Sequence, residues 1–125
     1  MSQRTSKIIG WSLAIVLAIL FTMSSFLKLT QNEEALTQAS AIGFNPITYQ
    51  IIGAIELISL ILFLIPRTSI LGTLLLVAYM GGAIVTHLQH QQPILIAVAV
   101  QILVWITAFI RFPELKQRLL PIKKL

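Results

Sequence analysis

The sequence has no cysteine and only four acidic residues among its 125. Without cysteine the chain forms no disulfide, takes part in no thiol–disulfide exchange, and offers no thiolate to zinc or to an iron–sulfur cluster. Charged residues of both signs make up 10% of the chain, well below the roughly 25% of an ordinary soluble domain. The sequence also lacks a nucleotide-binding glycine loop, a nucleophile elbow and a zinc-protease helix motif, so chemistry of the soluble-enzyme kind has no candidate residues. Internal repeats and low-complexity stretches are absent as well.

Apolar sequence fills the space left by these absences. The hydrophobic fraction is 57% and the mean hydropathy is +0.91, which makes lipid the expected solvent. In a soluble protein a net charge of +5 and a pI near 10.1 would suggest nucleic acid. Here the basic residues stand at the ends of apolar runs, where anionic lipid headgroups account for them, and nucleic acid is not an expected partner.

Four runs are long enough to cross about 30 Å of hydrocarbon at about 1.5 Å per residue: Ile8–Leu27, Ile47–Ile65, Ser69–Leu88 and Ile94–Ile110. Lys28 ends the first, Pro66-Arg67 parts the second from the third, His90-Gln91-Gln92-Pro93 parts the third from the fourth, and Arg111-Phe112-Pro113 closes the last. The runs are continuous blocks without period-2 alternation, which excludes a β-barrel. The expected fold is an all-α membrane protein, a bundle of four transmembrane helices forming one domain over residues 1–125. Pro46 and Pro93 are expected in the first turns of their helices, where a missing N–H costs nothing. The first run follows the basic residues Arg4 and Lys7 as a signal peptide would. At 20 uncharged residues without an A-x-A site it reads instead as a retained span.

With the N-terminus cytoplasmic, that side carries Arg4, Lys7, Arg67, Arg111, Lys116, Arg118, Lys123 and Lys124, and the other side only Lys28. This bias predicts both termini in the cytoplasm and a multi-pass protein of a bacterial-type cytoplasmic membrane. The external connection from Thr30 to Asn45 reads as a short amphipathic helix, started by Asn32-Glu33-Glu34, stopped by Gly43, and lying on the outer surface. The tail from Glu114 to Leu125 alternates basic and apolar residues and reads either as an interfacial segment or as a solvated tail.

Glu56 stands ten residues from both Pro46 and Pro66, which puts it near the bilayer centre. A central acidic residue costs about 2.5–3.5 kcal/mol on insertion scales, so its carboxyl is expected to face the bundle interior, as a ligand- or proton-binding group or as a structural hydrogen-bond anchor. By depth, Tyr79 and Gln101 share its layer and are candidate hydrogen-bond partners. A second polar layer nearer the outer face comprises Ser24, Ser25, Lys28, Thr86, His87 and His90. Lys28 either snorkels outward or turns inward to join His87 and, through it or water, Glu56. His87 and His90 lack the further ligands a metal would need, so no metal site is expected. Small residues, among them Ala14, Ala18, Gly53 and Gly81-Gly82-Ala83, are expected to be helix-packing surfaces.

Four stretches in this order and spacing resemble the DoxX-like family of small four-helix membrane proteins: Ser-Ser-Phe-Leu-Lys-Leu (24–29), Ile-Gly-Ala-Ile-Glu-Leu (52–57), Ile-Pro-Arg-Thr (65–68) and Gly-Ala-Ile-Val-Thr-His-Leu (82–88). The resemblance implies a four-helix bundle with Lys28, Glu56, Arg67 and His87 as its polar positions. Three functions follow as expectations. The first is a non-catalytic membrane subunit or assembly partner, contacting another membrane protein or a second copy of itself, with no cofactor. The second is a component of a membrane redox system that binds a quinone or lipid through Glu56, Tyr79 and His87. The third is a small proton-coupled exporter.

Overall fold

Backbone polar groups in hydrocarbon must find partners within their own segment, so the apolar runs fold as helices. The computed structural model describes residues 2–120, and Lys123 and Lys124 of the charge count lie outside them. The described residues form α1 (Gln3–Thr30), α2 (Glu33–Ala41), α3 (Pro46–Leu64), α4 (Ser69–Gln89), α5 (Leu95–Arg111) and α6 (Pro113–Leu119), with no strand among them. α1 starts five residues before its apolar run because Ser2 caps it, its side chain accepting from Thr5 N at 3.1 Å. Asn45 caps α3 in the same way, with Pro46 in the first turn. Pro93, by contrast, lies ahead of α5 and outside its first turn. Gln91 takes a left-handed conformation, φ 55°, and the connection needs three further residues before α5 begins.

Among the described residues three helices are long and apolar enough to cross a membrane: α1, α3 and α4. The number rises to four when α5 and α6 are taken as one span bent by 111°. α5 alone has 17 residues and is about 26 Å long. In the bundle, α1 packs on α3 and α5, and α4 packs on the same two, so the helices form a ring in the order α1, α3, α4, α5. A core that includes Leu17, Phe21, Leu60, Phe63, Leu76 and Val104 fills the centre. Large apolar side chains also cover the outside: Met23 is 62% exposed, Leu95 79% and Ile96 80%. A surface this apolar on α1, α3, α4 and α5 requires lipid around it.

α3 and α4 approach most closely at Gly72, where an added Cβ would run into the backbone of Phe63. Below that contact Pro66 ends α3, leaving the carbonyls of Leu62, Phe63 and Leu64 without helical partners. All three are satisfied by side chains. Thr68 Oγ1 donates to Leu62 O at 2.8 Å, while Ile65 O, in the turn, accepts from Thr68 N at 3.1 Å and Ser69 Oγ at 2.7 Å. Arg111, reaching across from α5, donates through Nη1 to Phe63 O at 3.2 Å and through Nη2 to Leu64 O at 3.5 Å. Gly72→Ala is therefore expected to cost about 1–3 kcal/mol through overpacking. At Gly81 or Gly82 an added methyl meets nothing within 4 Å, and the same change is expected to be neutral or stabilising. Denaturant unfolding of the three variants in detergent checks both outcomes.

Candidate functional site

Three contacts fix the pairing of α1 with α3. Gln50 Nε2 donates to Leu29 O at 2.9 Å, Lys28 Cβ packs on Gly53, and Ser24 Oγ donates to Glu56 Oε1 at 3.2 Å. The partners run in opposite order along the two helices, so α1 and α3 are antiparallel. Gly53 is what allows the approach: a Cβ there would sit 2.7 Å from Lys28 Cβ and 3.3 Å from Ser25 O.

Side chains on a helix lean toward its N-terminus, and Lys28 stands near the C-terminal end of α1. Its stem therefore runs back along the helix and into the bundle. Nζ donates to Ser24 Oγ, one turn earlier, at 2.5 Å, and to Glu56 Oε1 at 3.1 Å. Ser24 thus accepts from the ammonium and donates to the carboxylate, which closes a three-membered network. The side chains of Lys28 and Glu56 are 11% and 2% exposed. Of the two directions open to Lys28, the inward one is taken, and it reaches Glu56 directly rather than through His87.

Two aromatic rings flank the ammonium. The centroid of Tyr49 is 5.3 Å from Nζ and that of Tyr79 is 5.9 Å, both within cation–π range. Tyr49 itself is buried, stacks on Phe44, and donates through its hydroxyl to Gln38 Oε1 of α2 at 3.4 Å. Through Tyr49 and the buried Ala35 and Ala39, α2 is seated on the first turns of α3.

Beside the ion pair lies a cavity of ≈ 530 Å³, bounded by α1, α4 and α5 and rimmed by Gln38 and Ile42. Its walls are apolar, including Leu20, Phe21, Met80 and Val100, while Lys28, Glu56, Tyr79 and His87 form a polar side. An adjoining cavity of ≈ 310 Å³ shares Lys28, Tyr49, Tyr79 and His87 with it. His87 Nδ1 lies 2.7 Å from Ala83 O. A carbonyl only accepts, so Nδ1 carries the proton and Nε2 of the neutral ring keeps its lone pair. Gly82 and Ala83, expected as packing surfaces, line this open space instead.

The remaining sequence candidates lie elsewhere. Gln101 does not pair with the carboxyl: its Nε2 donates to Val77 O of α4 at 3.2 Å, because α5 sits diagonally from α3 in the ring. Its Oε1 is buried without a partner. Arg67 is exposed in the turn between α3 and α4, at the other end of the bundle. Ser24, expected in a separate outer layer, and Tyr49, not among the expected polar positions, both belong to the site. Spacing held the signal for both: Ser24 is one turn from Lys28, and Tyr49, Gly53 and Glu56 follow each other at helical intervals on one face.

The pair predicts its own mutational signature. Lys28→Met or Glu56→Met alone strands a buried charge and is expected to cost about 3–5 kcal/mol. The double variant removes both charges and is expected to recover most of that loss. A double-mutant cycle by unfolding in detergent reads the coupling, and additive single effects would refute a direct pair.

Among known proteins, the sequence model of the DoxX-like family matches residues 12–109, a stretch that contains Lys28, Glu56, Tyr79 and His87. No curated protein and no solved structure matches the chain.

Proposed function

This chain belongs to the DoxX-like family, and from that premise we propose that it is a non-catalytic membrane component that holds a small, largely apolar ligand in the cavity beside Lys28 and Glu56. It is an integral, multi-pass membrane protein; the ligand and its class are the proposal. The observation that carries the reading is the cavity itself, ≈ 530 Å³ with apolar walls and one polar side. That size and character match small-molecule sites. Lys28 Nζ, the Tyr79 hydroxyl and His87 suit a ligand with carbonyl or hydroxyl oxygens on an apolar body, such as a quinone or a lipid. A second reading, a subunit or assembly partner in which the polar network only fixes helix register, is supported by the near-complete burial of Glu56. A proton-coupled exporter finds less support, because Glu56 is already matched by the Lys28 ammonium.

The test is to purify the protein in mild detergent and identify what accompanies it by mass spectrometry. In the ligand reading a small molecule co-purifies with the wild type and is lost from Ala97→Phe, which fills the cavity from α5 without touching the ion pair. A small molecule retained by that variant, or a stoichiometric protein partner with no small molecule, overturns it.

The same proposal includes four crossings with both termini cytoplasmic and α2 on the external face of a cytoplasmic membrane, supported by the distribution of Lys and Arg. The absence of native cysteine makes this directly measurable. In intact cells an impermeant thiol reagent is expected to label Ser40→Cys in α2 and to spare Gln117→Cys in α6. Labelling of Gln117→Cys before lysis would refute the orientation.

A further inference from the structure

The other end of the bundle holds a cavity of opposite chemistry. A space of ≈ 490 Å³ lies where α1 begins and α5 turns into α6, bordered by Gln3, Ser6, Lys7, Trp11 and Arg111 with apolar walls that include Ile110. Those five side chains all carry N–H or O–H donors, and no carboxylate lines the space. Arg111 is held by several contacts. Two of its five N–H groups serve the carbonyls of Phe63 and Leu64, and its guanidinium lies 4.4 Å from the Trp11 ring centroid and 4.7 Å from that of Phe112.

Neither Arg111 nor Lys7 has a carboxylate partner among the described residues, where Lys28–Glu56 is the one ion pair. A half-buried guanidinium whose positive charge meets only carbonyls and rings lacks a counter-ion, and three of its N–H groups remain for one. The site lies at the edge of the apolar band, since Ile8 follows Lys7 directly and is 58% exposed. α6 leaves α5 at 111°, so it turns across this end with Leu115 buried and Lys116 and Arg118 exposed.

We propose that this cavity binds the phosphate group of an anionic membrane phospholipid. Arg111 meets the phosphate with its planar fork, Lys7 adds a mobile second charge, and Ser6 and Gln3 supply further donors. The acyl chains continue along the exposed Ile8 and Ile65, 58% and 44% exposed. Inorganic phosphate shares the headgroup chemistry but has no use for this apolar margin, and the margin is what assigns the site to a lipid.

Native mass spectrometry of the full chain in detergent provides the test, with phosphatidylglycerol and phosphatidylcholine of matched acyl chains as probes. The wild type is expected to retain phosphatidylglycerol over phosphatidylcholine about fivefold or more, and Lys7→Gln to lower that preference about fivefold, the weight of one basic residue at an anionic surface. Lys7 is exposed, so its loss leaves the fold intact. Arg111→Lys keeps the charge but not the fork and is expected to lower the preference as well. Arg67→Gln, exposed and outside the cavity, is expected to leave it unchanged. Equal retention of the two lipids, an unchanged preference in Lys7→Gln, or an equal loss in Arg67→Gln overturns the proposal. Displacement of the lipid by millimolar inorganic phosphate would make this a site for free anions and overturns the lipid assignment too.

Discussion

Hydrocarbon offers no hydrogen bonds, and this requirement to satisfy polar groups internally organises the bundle from one end to the other. At one end, Lys28, Ser24 and Glu56 satisfy one another across the contact between α1 and α3. At the other, three carbonyls freed at the end of α3 are taken up by Thr68 and Arg111. The two sites tie different helices: the first joins α1 to α3, and the second joins α3 to α5, which do not otherwise adjoin in the ring.

The two cations turned into the bundle differ in ways that follow from their chemistry. Lysine concentrates its charge on a long flexible stem, and here that stem folds back to a single carboxylate oxygen. Arginine spreads its charge over a plane that can bond two adjacent carbonyls and still stack on rings, which is the role Arg111 fills between Phe63, Leu64 and Trp11. Exchanging the two residues would satisfy neither site. The cavities beside them are correspondingly unlike, one with a balanced charge pair and apolar walls, the other with donors and unbalanced positive charge.

Hydrophobic runs and their breakers made the helices legible, because length and continuity are properties of the sequence itself. The depth of Glu56 could be read in the same way. Its neighbours could not all be read, since depth gives a layer but no direction around the helix axis. Gln101 shares the layer of Glu56 yet belongs to a helix on the far side of the ring, and so it turns to Val77. The direction of Lys28 was open because snorkelling outward and folding inward leave the same pattern of apolar residues. Gly53, by permitting close contact, and Ser24, one turn away, decide it. Arg111 read simply as a topological charge, because the carbonyls it serves exist only once Pro66 has ended α3.

The Lys28–Glu56 pair also bears on how the chain enters the membrane. Lys28 closes the first apolar run, where a lysine on an isolated helix can reach a headgroup layer. Glu56 has no such refuge, since it lies in the middle of the second span. Inserted without a partner, that span would carry a stranded carboxylate, and the ammonium that matches it stands on the helix just before it in the chain. The polar cost of the second apolar run is thus met by the first, and by neither α4 nor α5.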